Sequence, residues 1–457
     1  LMKILPFLSV GILYLTLSTP PAIAADAEST LLRLSLSEAV ILALSEHPAM
    51  ILARNRQESA DVSLLAARGR FLPDLQASAN ASERYAQQPT SVNDSEYRSM
   101  TVGLSSSLNL YNGFADAAVL DGSRFQLDAA TAELFRQQQT VALNAATAFI
   151  TVLSNRELVA VAEQSLVREE SLLEQTEAFY RAGIRSVTDF YQQQAARAQA
   201  ELDLLNARRN LEVAQLQLLQ NLGQQPPRDV ELLPIDPFAL VEPLRGIDLA
   251  VTINQALRQR PDLLAAQRQV EVAQTGIAEA RSGYQPRLDL IASADSGYSS
   301  LNGGRNLGAQ LSRDNGAAAI GLNLSLPIFD CFQTKSSISQ AEITKRNAAV
   351  EVMRLQQMIG VEVGQALADY RRTELQLTVS RTQLDAARQA LDASEARYRA
   401  GAASWVDRAA ARATFVSSQV AEVQARHALL QQGLAVGHAR GDLQLLLTRL
   451  TPGKEEL

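Results

Sequence analysis

Soft metal ligands are scarce in this chain: one cysteine, Cys331, and three histidines, His47, His427 and His438, in 457 residues. A single cysteine leaves no intrachain disulfide. His427 and His438 share the last helical stretch without a cysteine neighbour, which is not zinc-ligand spacing. No metal or other cofactor is expected. His47, ahead of Pro48, reads as structural, and Cys331, after a strand end, reads as a small packing residue. Basic surplus is also missing, with Lys+Arg 42 against Asp+Glu 49 and a net charge of -7, so a nucleic-acid partner is not expected. Mean hydropathy is -0.05, far below that of a bundle of spanning helices, each of which needs about 20 apolar residues. Beyond the N-terminus no segment is expected to be apolar enough to span as a helix. No catalytic triad or phosphate loop stands out. Gly303, Gly304 and Gly308 lack a GK[ST] ending, so Ser299–Gly316 reads as an exposed hairpin loop, like Gln87–Glu96. The chain is not expected to be an enzyme. Disorder is excluded too, because apolar residues make up 47% of the chain.

What is present begins with a leader. Lys3 precedes an apolar run from Ile4 to Leu17, two prolines break it at Pro20 and Pro21, and Ala22-Ile23-Ala24 offers a small-residue cleavage site. Residues 1–24 are expected to be a secretory signal peptide. The run is short for a spanning helix and holds Pro6.

Proline is missing from two long windows, between Pro89 and Pro226 and between Pro327 and Pro452. Proline inside a helix costs about 3 kcal/mol, so these windows permit unusually long helices. Both are rich in Ala, Leu, Gln, Arg and Glu, all good helix formers. Apolar residues recur every seventh position: Ala145, Val152, Val159, Leu166, Leu173 and Tyr180 in one, and Val363, Tyr370, Leu377, Leu384, Leu391 and Tyr398 in the other. Sustained heptads predict coiled-coil packing.

The two windows belong to an internal duplication. Leu36–Ala81 aligns with Leu249–Ala294 at an offset of 213, pairing Pro48 with Pro261, Arg68 with Arg281 and Pro73 with Pro286. Farther on the offset becomes 218, pairing Tyr180-Arg181-Ala182-Gly183 with Tyr398-Arg399-Ala400-Gly401, and Asp189 with Asp407. The expected units are a first repeat over 25–222, a Pro-rich linker over 223–248, a second repeat over 249–441 and a tail over 442–457. Within them long helices are expected near 115–180 and 333–398, and shorter ones near 187–222 and 405–440.

Between the helices of each repeat the period changes to two. Strands are expected near 74–86, 98–111, 287–299 and 317–329. Leu288, Leu290, Ala292 and Ala294 alternate with Asp289, Ile291, Ser293 and Asp295, and Ile320, Leu322 and Leu324 alternate with Gly321, Asn323 and Ser325. This pattern suits either a half-buried sheet or a transmembrane barrel with lipid outside and a polar lumen inside. Barrels need about 8 strands or more, and open edges are not tolerated in lipid. A membrane reading therefore requires two, three or four chains.

The ordered set of motifs resembles the TolC-like outer-membrane efflux proteins. The residues that carry the likeness are Leu34–Pro48 (LSLSEAVILALSEHP), Phe71-Leu72-Pro73, Gln285-Pro286, Gly321–Asp330 (GLNLSLPIFD) and the turns YRAGIRSVTDF and YRAGAASWVDR. The resemblance covers about residues 25–445. It implies a mainly α fold with a transmembrane β-barrel portion: a homotrimer with one 12-stranded barrel in outer-membrane lipid above a periplasmic α-helical barrel. It also implies an exit duct for efflux or type I secretion that docks on a periplasmic adaptor (membrane fusion) protein and an inner-membrane ABC or RND-type transporter. The alternative class is a soluble periplasmic coiled-coil adaptor or scaffold, which normally carries one helical hairpin rather than two.

The paired turns are the candidate site. Gly183 and Gly401 suit helix C-termini. Ser186 and Ser404 stand three residues before Asp189 and Asp407, the spacing of an N-cap with an acidic first turn. By resemblance these turns, with Arg185 and Trp405, form the inner mouth of the duct, and copies of Asp407 would ring it with acid. Trp405 reads as a packing residue or a contact for a partner at the tip. Ala403 and Ala410 depart from the family pattern, where some relatives carry an arginine and a second acid.

Overall fold

The computed structural model describes residues 32–86, 95–226, 230–233, 246–300 and 306–442. The signal-peptide stretch and most of the tail lie outside them. In the first half, β1 (Leu32–Leu34), α1 (Leu36–Glu46) and α2 (Pro48–Gly69) lead into β2 (Gln76–Ala86) and β3 (Ser95–Tyr111). The long helix α3 (Ala115–Arg181) and α4 (Val187–Asn221) follow, and β4 (Val230–Leu232) ends this half. The second half runs α5 (Leu249–Gln259), α6 (Pro261–Arg281), β5 (Arg287–Ser299), β6 (Ala317–Ser325), α7 (Gln333–Arg399) and α8 (Trp405–Arg440).

Helix boundaries follow local chemistry. Ser35 caps α1 in a reciprocal capping box with Glu38. Pro48 and Pro261 open α2 and α6, where a missing N–H costs nothing. The His47 ring accepts from the Ala49 N–H at 3.1 Å. The helices α3 and α7 each have 67 residues, about 100 Å at 1.5 Å per residue. Each pairs with the helix after it, so α3–α4 and α7–α8 form two hairpins, and α2 and α6 lie beside the long helices.

The core is built where the helices come closest. Ala129, Ala145 and Ala146 are fully buried on α3, as is Phe149. Small residues let neighbouring backbones approach, and Phe149, Ile150, Leu218 and Leu434 fill the remaining space. Burying each such large side chain stabilises by about 1.5–3 kcal/mol. One 18-residue window of α3 reaches a mean hydropathy of 1.3, contrary to the expectation that no later segment is apolar enough to span. That window is 33% buried, and α3 gives Val141, Ala145, Phe149 and Ile150 to this helix-packed core.

Three other expectations need correction. The stretch read as a linker contains β4, which pairs in parallel with β1, Leu32 to Val230 through Leu34 to Leu232. Leu34 and Leu232 are buried in the core, so apolar anchoring organises that segment. The glycine-bearing loop is not simply exposed. It forms helical turns at Leu307–Ala309 and Gln310–Asp314, and the Gln310 amide, 1% exposed, accepts from the Ser299 N–H at 3.0 Å. Cys331 is exposed rather than packed; it lies in the tight junction that starts α7, with a φ of +53°.

The four longer strands form one antiparallel sheet in the order β2-β3-β5-β6. The register aligns Ala77, Leu104, Ala294 and Ala318 on one face, with Leu108, Leu290 and Leu322 beside them. The opposite face aligns Ser78, Gly103, Asp295 and Ala317, with Ser107 and Asn323 nearby. One face is therefore apolar and the other small and polar. Both are open to solvent in a single chain: every residue of β6 is exposed, and Ile320 is 81% exposed.

Candidate functional site at the hairpin tips

Each long helix ends the same way. Gly183 (φ +72°) and Gly401 (φ +76°) take left-handed backbone, which glycine adopts without Cβ strain. The Ile184 N–H reaches back to the Phe179 carbonyl at 2.9 Å, and the Ala402 N–H to that of Arg397 at 2.8 Å. The next helix starts at once. Ser186 Oγ accepts from the Asp189 N–H, and Ser404 Oγ from the Asp407 N–H, both at 3.2 Å. The two turns then differ. Asp407 Oδ2 accepts from the Ser404 N–H at 3.0 Å and from its hydroxyl at 2.8 Å, completing a capping box. Ser186 caps α4 without a reciprocal box. The Ser404 hydroxyl, then its backbone N–H, hold the Asp407 carboxyl below the usual carboxylate range.

The heptad residues are packed unequally. Tyr398 and Leu391 are buried and Leu384 half-buried, whereas Leu166 and Leu173 are half-buried and Tyr180 is 41% exposed. Tyr180 therefore departs from the expected heptad packing. It stacks on Phe190, ring centroids 5.7 Å apart, and otherwise faces solvent. Tyr398 is covered because two guanidiniums lie over its ring, Arg185 at 4.3 Å and Arg408 at 4.1 Å.

A polar network joins the two hairpins just behind the turns. Gln193, 1% exposed, sits at its centre. Its Nε2 donates to Glu169 Oε2 at 2.6 Å, while its Oε1 accepts from Trp405 Nε1 at 3.2 Å and from Arg408 at 3.1 Å. Arg412 Nε pairs with Glu169 Oε1 at 2.8 Å. A cleft of about 330 Å³ adjoins it, lined in part by Glu169, Gln193, Trp405 and Arg412. Burial lowers the pKa of both Arg408 and Arg412, and Glu169 acts against that shift. The chemistry is that of a tie between helices; among the described residues no group of His, Cys, Asp and Glu is arranged to hold a metal.

The model of outer membrane efflux proteins matches the chain twice, over residues 40–224 and 252–441. The chain belongs to that family. The outer membrane protein TolC of Escherichia coli (strain K12) is 28% identical over 313 residues, which take in 67% of this chain and 62% of TolC. The chain thus aligns with less than two thirds of that relative. Protein CyaE of Bordetella pertussis is 28% identical over 447 residues, 93% of this chain and 90% of CyaE. The crystal structure of the outer membrane protein VceC from Vibrio cholerae superposes with a TM-score of 0.75 at 21% identity, over 89% of this chain and 96% of VceC. The likeness to VceC is one of fold.

In this efflux-family chain the turn residues named from sequence meet at one end of the helices, but they are only part of the arrangement. Arg185 reaches the other hairpin through Tyr398, whose carbonyl also accepts from it at 3.4 Å. Trp405 is tied across to Gln193. Glu169, Gln193, Arg408 and Arg412 escaped the sequence reading, because a polar residue in a long helix looks like a solvated one. The duplication held a signal: at an offset of 218 these four correspond to Ala387, Ala411, Phe190 and Gln194. In the second hairpin Ala387, Leu391 and Phe415 form an apolar cluster, with Ala411 packed on it. Polar residues that break a repeat's symmetry mark where the two repeats meet.

Proposed function

We propose that this chain is the outer-membrane exit duct of a tripartite efflux or type I secretion system. The observation that carries the reading is the sheet: four strands, open at both edges, with one apolar and one polar face, set above helices about 100 Å long. An apolar face suits lipid and a polar face a water-filled lumen. Three copies of the four-stranded sheet make a closed 12-stranded homotrimeric barrel and leave no edge in the membrane. The helices extend the conduit through the periplasm, and their tips form its inner mouth. There Gly183, Arg185, Ser186, Asp189, Gly401, Ser404, Trp405 and Asp407 shape the entrance, and the Glu169–Arg412 and Gln193–Arg408 links hold the hairpins together in the closed state. A periplasmic adaptor and an inner-membrane ABC or RND-type transporter deliver cargo to this end; the duct itself makes and breaks no bond.

Membrane fractionation with planar-bilayer recording tests this. The chain should partition with the outer membrane, run on gels as a heat-modifiable oligomer and give discrete conductance steps. Recovery as a soluble periplasmic monomer overturns the reading and favours the adaptor class.

A further inference from the structure

Three helices each bring one stripe of side chains to the cleft behind the tips. Trp405, Arg408 and Arg412 come from α8, Glu169 from α3 and Gln193 from α4. Residues three and four apart share a helix face, so the α8 stripe borders one continuous space. That space, about 330 Å³, lies within the range of roughly 300–1,000 Å³ common for small-molecule sites. Much of its wall is apolar, built by Leu172, Ala196, Ala200, Ala413 and Val416. An apolar wall with a few convergent polar groups is the usual composition of a ligand site.

The charges in the cleft do not balance. Arg412 is 8% exposed and has a counter-charge in Glu169. Arg408 is 5% exposed and has none. Its guanidinium donates to the neutral Gln193 amide at 3.1 Å, and among the described residues it makes no ion pair. Even that acceptor is shared, since Gln193 Oε1 also takes the Trp405 N–H. The Tyr398 ring covers the Arg408 guanidinium at 4.1 Å, but a guanidinium carries five N–H donors and a ring face does not satisfy them. The other charges nearby leave the imbalance in place. Arg168 and Arg185 add positive charge, while Glu395 adds negative charge but already pairs with Arg399 at 3.3 Å. Asp203, the second acid on the lining, is exposed and accepts from Gln199 at 3.0 Å. One buried carboxylate therefore serves two buried arginines. A buried charge without a partner is costly, and an anion entering the cleft would remove that cost.

We propose that this cleft binds a small amphipathic carboxylate, with its head on Arg408 and Arg412 and its apolar body against Leu172, Ala200 and Val416. The planar guanidinium fork matches a carboxylate in shape and charge. A cation is repelled by the same pair, and a bare inorganic anion leaves the apolar wall in water. Trp405 stands half-buried at the edge of the space, where its indole covers the bound molecule. The ligand supplies the second carboxylate that the cluster lacks and joins α8 to α3 and α4, so it tightens the tie behind the tips. The site goes beyond the duct proposed above and does not depend on it, since binding is read without a membrane.

Trp405 is the one tryptophan of the chain, so its emission reports on the cleft alone. Phenylbutyrate, added to the detergent-purified full chain, should change that emission saturably and raise the melting temperature as a ligand of the folded state does. Phenylbutyramide, its uncharged counterpart, should bind at least about 10-fold more weakly, the value of a charge-assisted hydrogen bond. Arg408→Gln should weaken phenylbutyrate by a similar factor, and Arg408→Lys, which keeps the charge but loses the fork, should fall between. Ala409→Leu leaves every charge in place and narrows the cleft, so it should also abolish the response. Native gels and melts without ligand check that each variant is folded, and the comparison of acid with amide on the unaltered chain needs no variant. The proposal is overturned if the amide binds as well as the acid, or if phenylbutyrate affinity in a folded Arg408→Gln stays within about 2-fold of the unaltered chain. An emission that does not saturate, with no rise in melting temperature, overturns it as well.

Discussion

Glu169→Ala should loosen the hairpin tips more than any other single substitution there. Glu169 is 8% exposed, and its carboxylate serves two partners, Arg412 at 2.8 Å and Gln193 at 2.6 Å. Removing one member of a buried ion pair strands the other charge and costs about 3–5 kcal/mol. Arg412 is the charge stranded here, and Arg408, buried beside it, loses the favourable field of the same carboxylate while keeping Gln193 as its acceptor. At about 1.4 kcal/mol per tenfold, even the lower figure raises the population of locally opened tips by about 100-fold. Hydrogen exchange on the detergent-purified protein reads this directly, at the amides of the first turns of α4 and α8. Glu169→Gln keeps an acceptor for Gln193 and should fall between wild type and Glu169→Ala. Glu169→Leu with Arg412→Leu removes both charges and should exchange more slowly than Glu169→Ala, since a buried pair replaced by apolar side chains is often close to neutral. Acceleration of less than about 5-fold in Glu169→Ala, or a double variant as loose as the single one, would refute the assignment of a tie to this network.

Other substitutions probe separate parts of the structure. Ser404→Ala removes a complete capping box and should destabilise by about 1 kcal/mol, more than Ser186→Ala, whose cap lacks the reciprocal bond; thermal melts of the two variants decide it. Asp189→Ala combined with Asp407→Ala should raise single-channel conductance if these acids hold the mouth closed, whereas unchanged conductance with a lower melting temperature assigns them to capping alone. His438 is held to about 3, by burial first and then by Arg136 and Arg260. The unfolded chain takes that proton near the ordinary 6.5, so the stability from neutral His438 is full above that pH and is lost as pH falls towards 3. His438→Gln should flatten the fall of Tm across this window, and an unchanged slope counts against it. Gly223→Ala should destabilise more than Gly183→Ala. Both glycines have positive φ, but a Cβ at 223 meets the Glu46 carbonyl oxygen at 2.7 Å while one at 183 meets nothing within 4 Å.

The helices and strands were legible because their signals are local. The proline-free windows and heptads mark α3 and α7, and period-two alternation from Leu288 to Ala294 marks β5, whose register then places those residues on one face. Ser404 with Asp407 announced a helix start three residues apart in sequence. The parallel pairing of β1 with β4 was not legible, since Val230–Leu232 is too short to show a period and its partner lies about two hundred residues away. Nor was the fold of Leu307–Asp314 against β5, where the buried Gln310 amide meets Ser299 and the Ser296 hydroxyl meets the Leu311 carbonyl.

The sequence by itself determined which segments are helix and strand, which face of each strand is apolar, and that the chain is built twice. Those properties follow from spacing along the chain: 3.6 or 3.5 residues per turn, two per strand repeat, and the steric cost of proline. Only the tertiary structure decided who meets whom. Glu169 on α3, Gln193 on α4 and Arg412 on α8 are each unremarkable polar residues on a long helix, and they become a buried tie because the fold brings three distant surfaces together. Leu52 and Val350, equally apolar, stay exposed, at 58% and 56%, because the fold leaves their faces open to water.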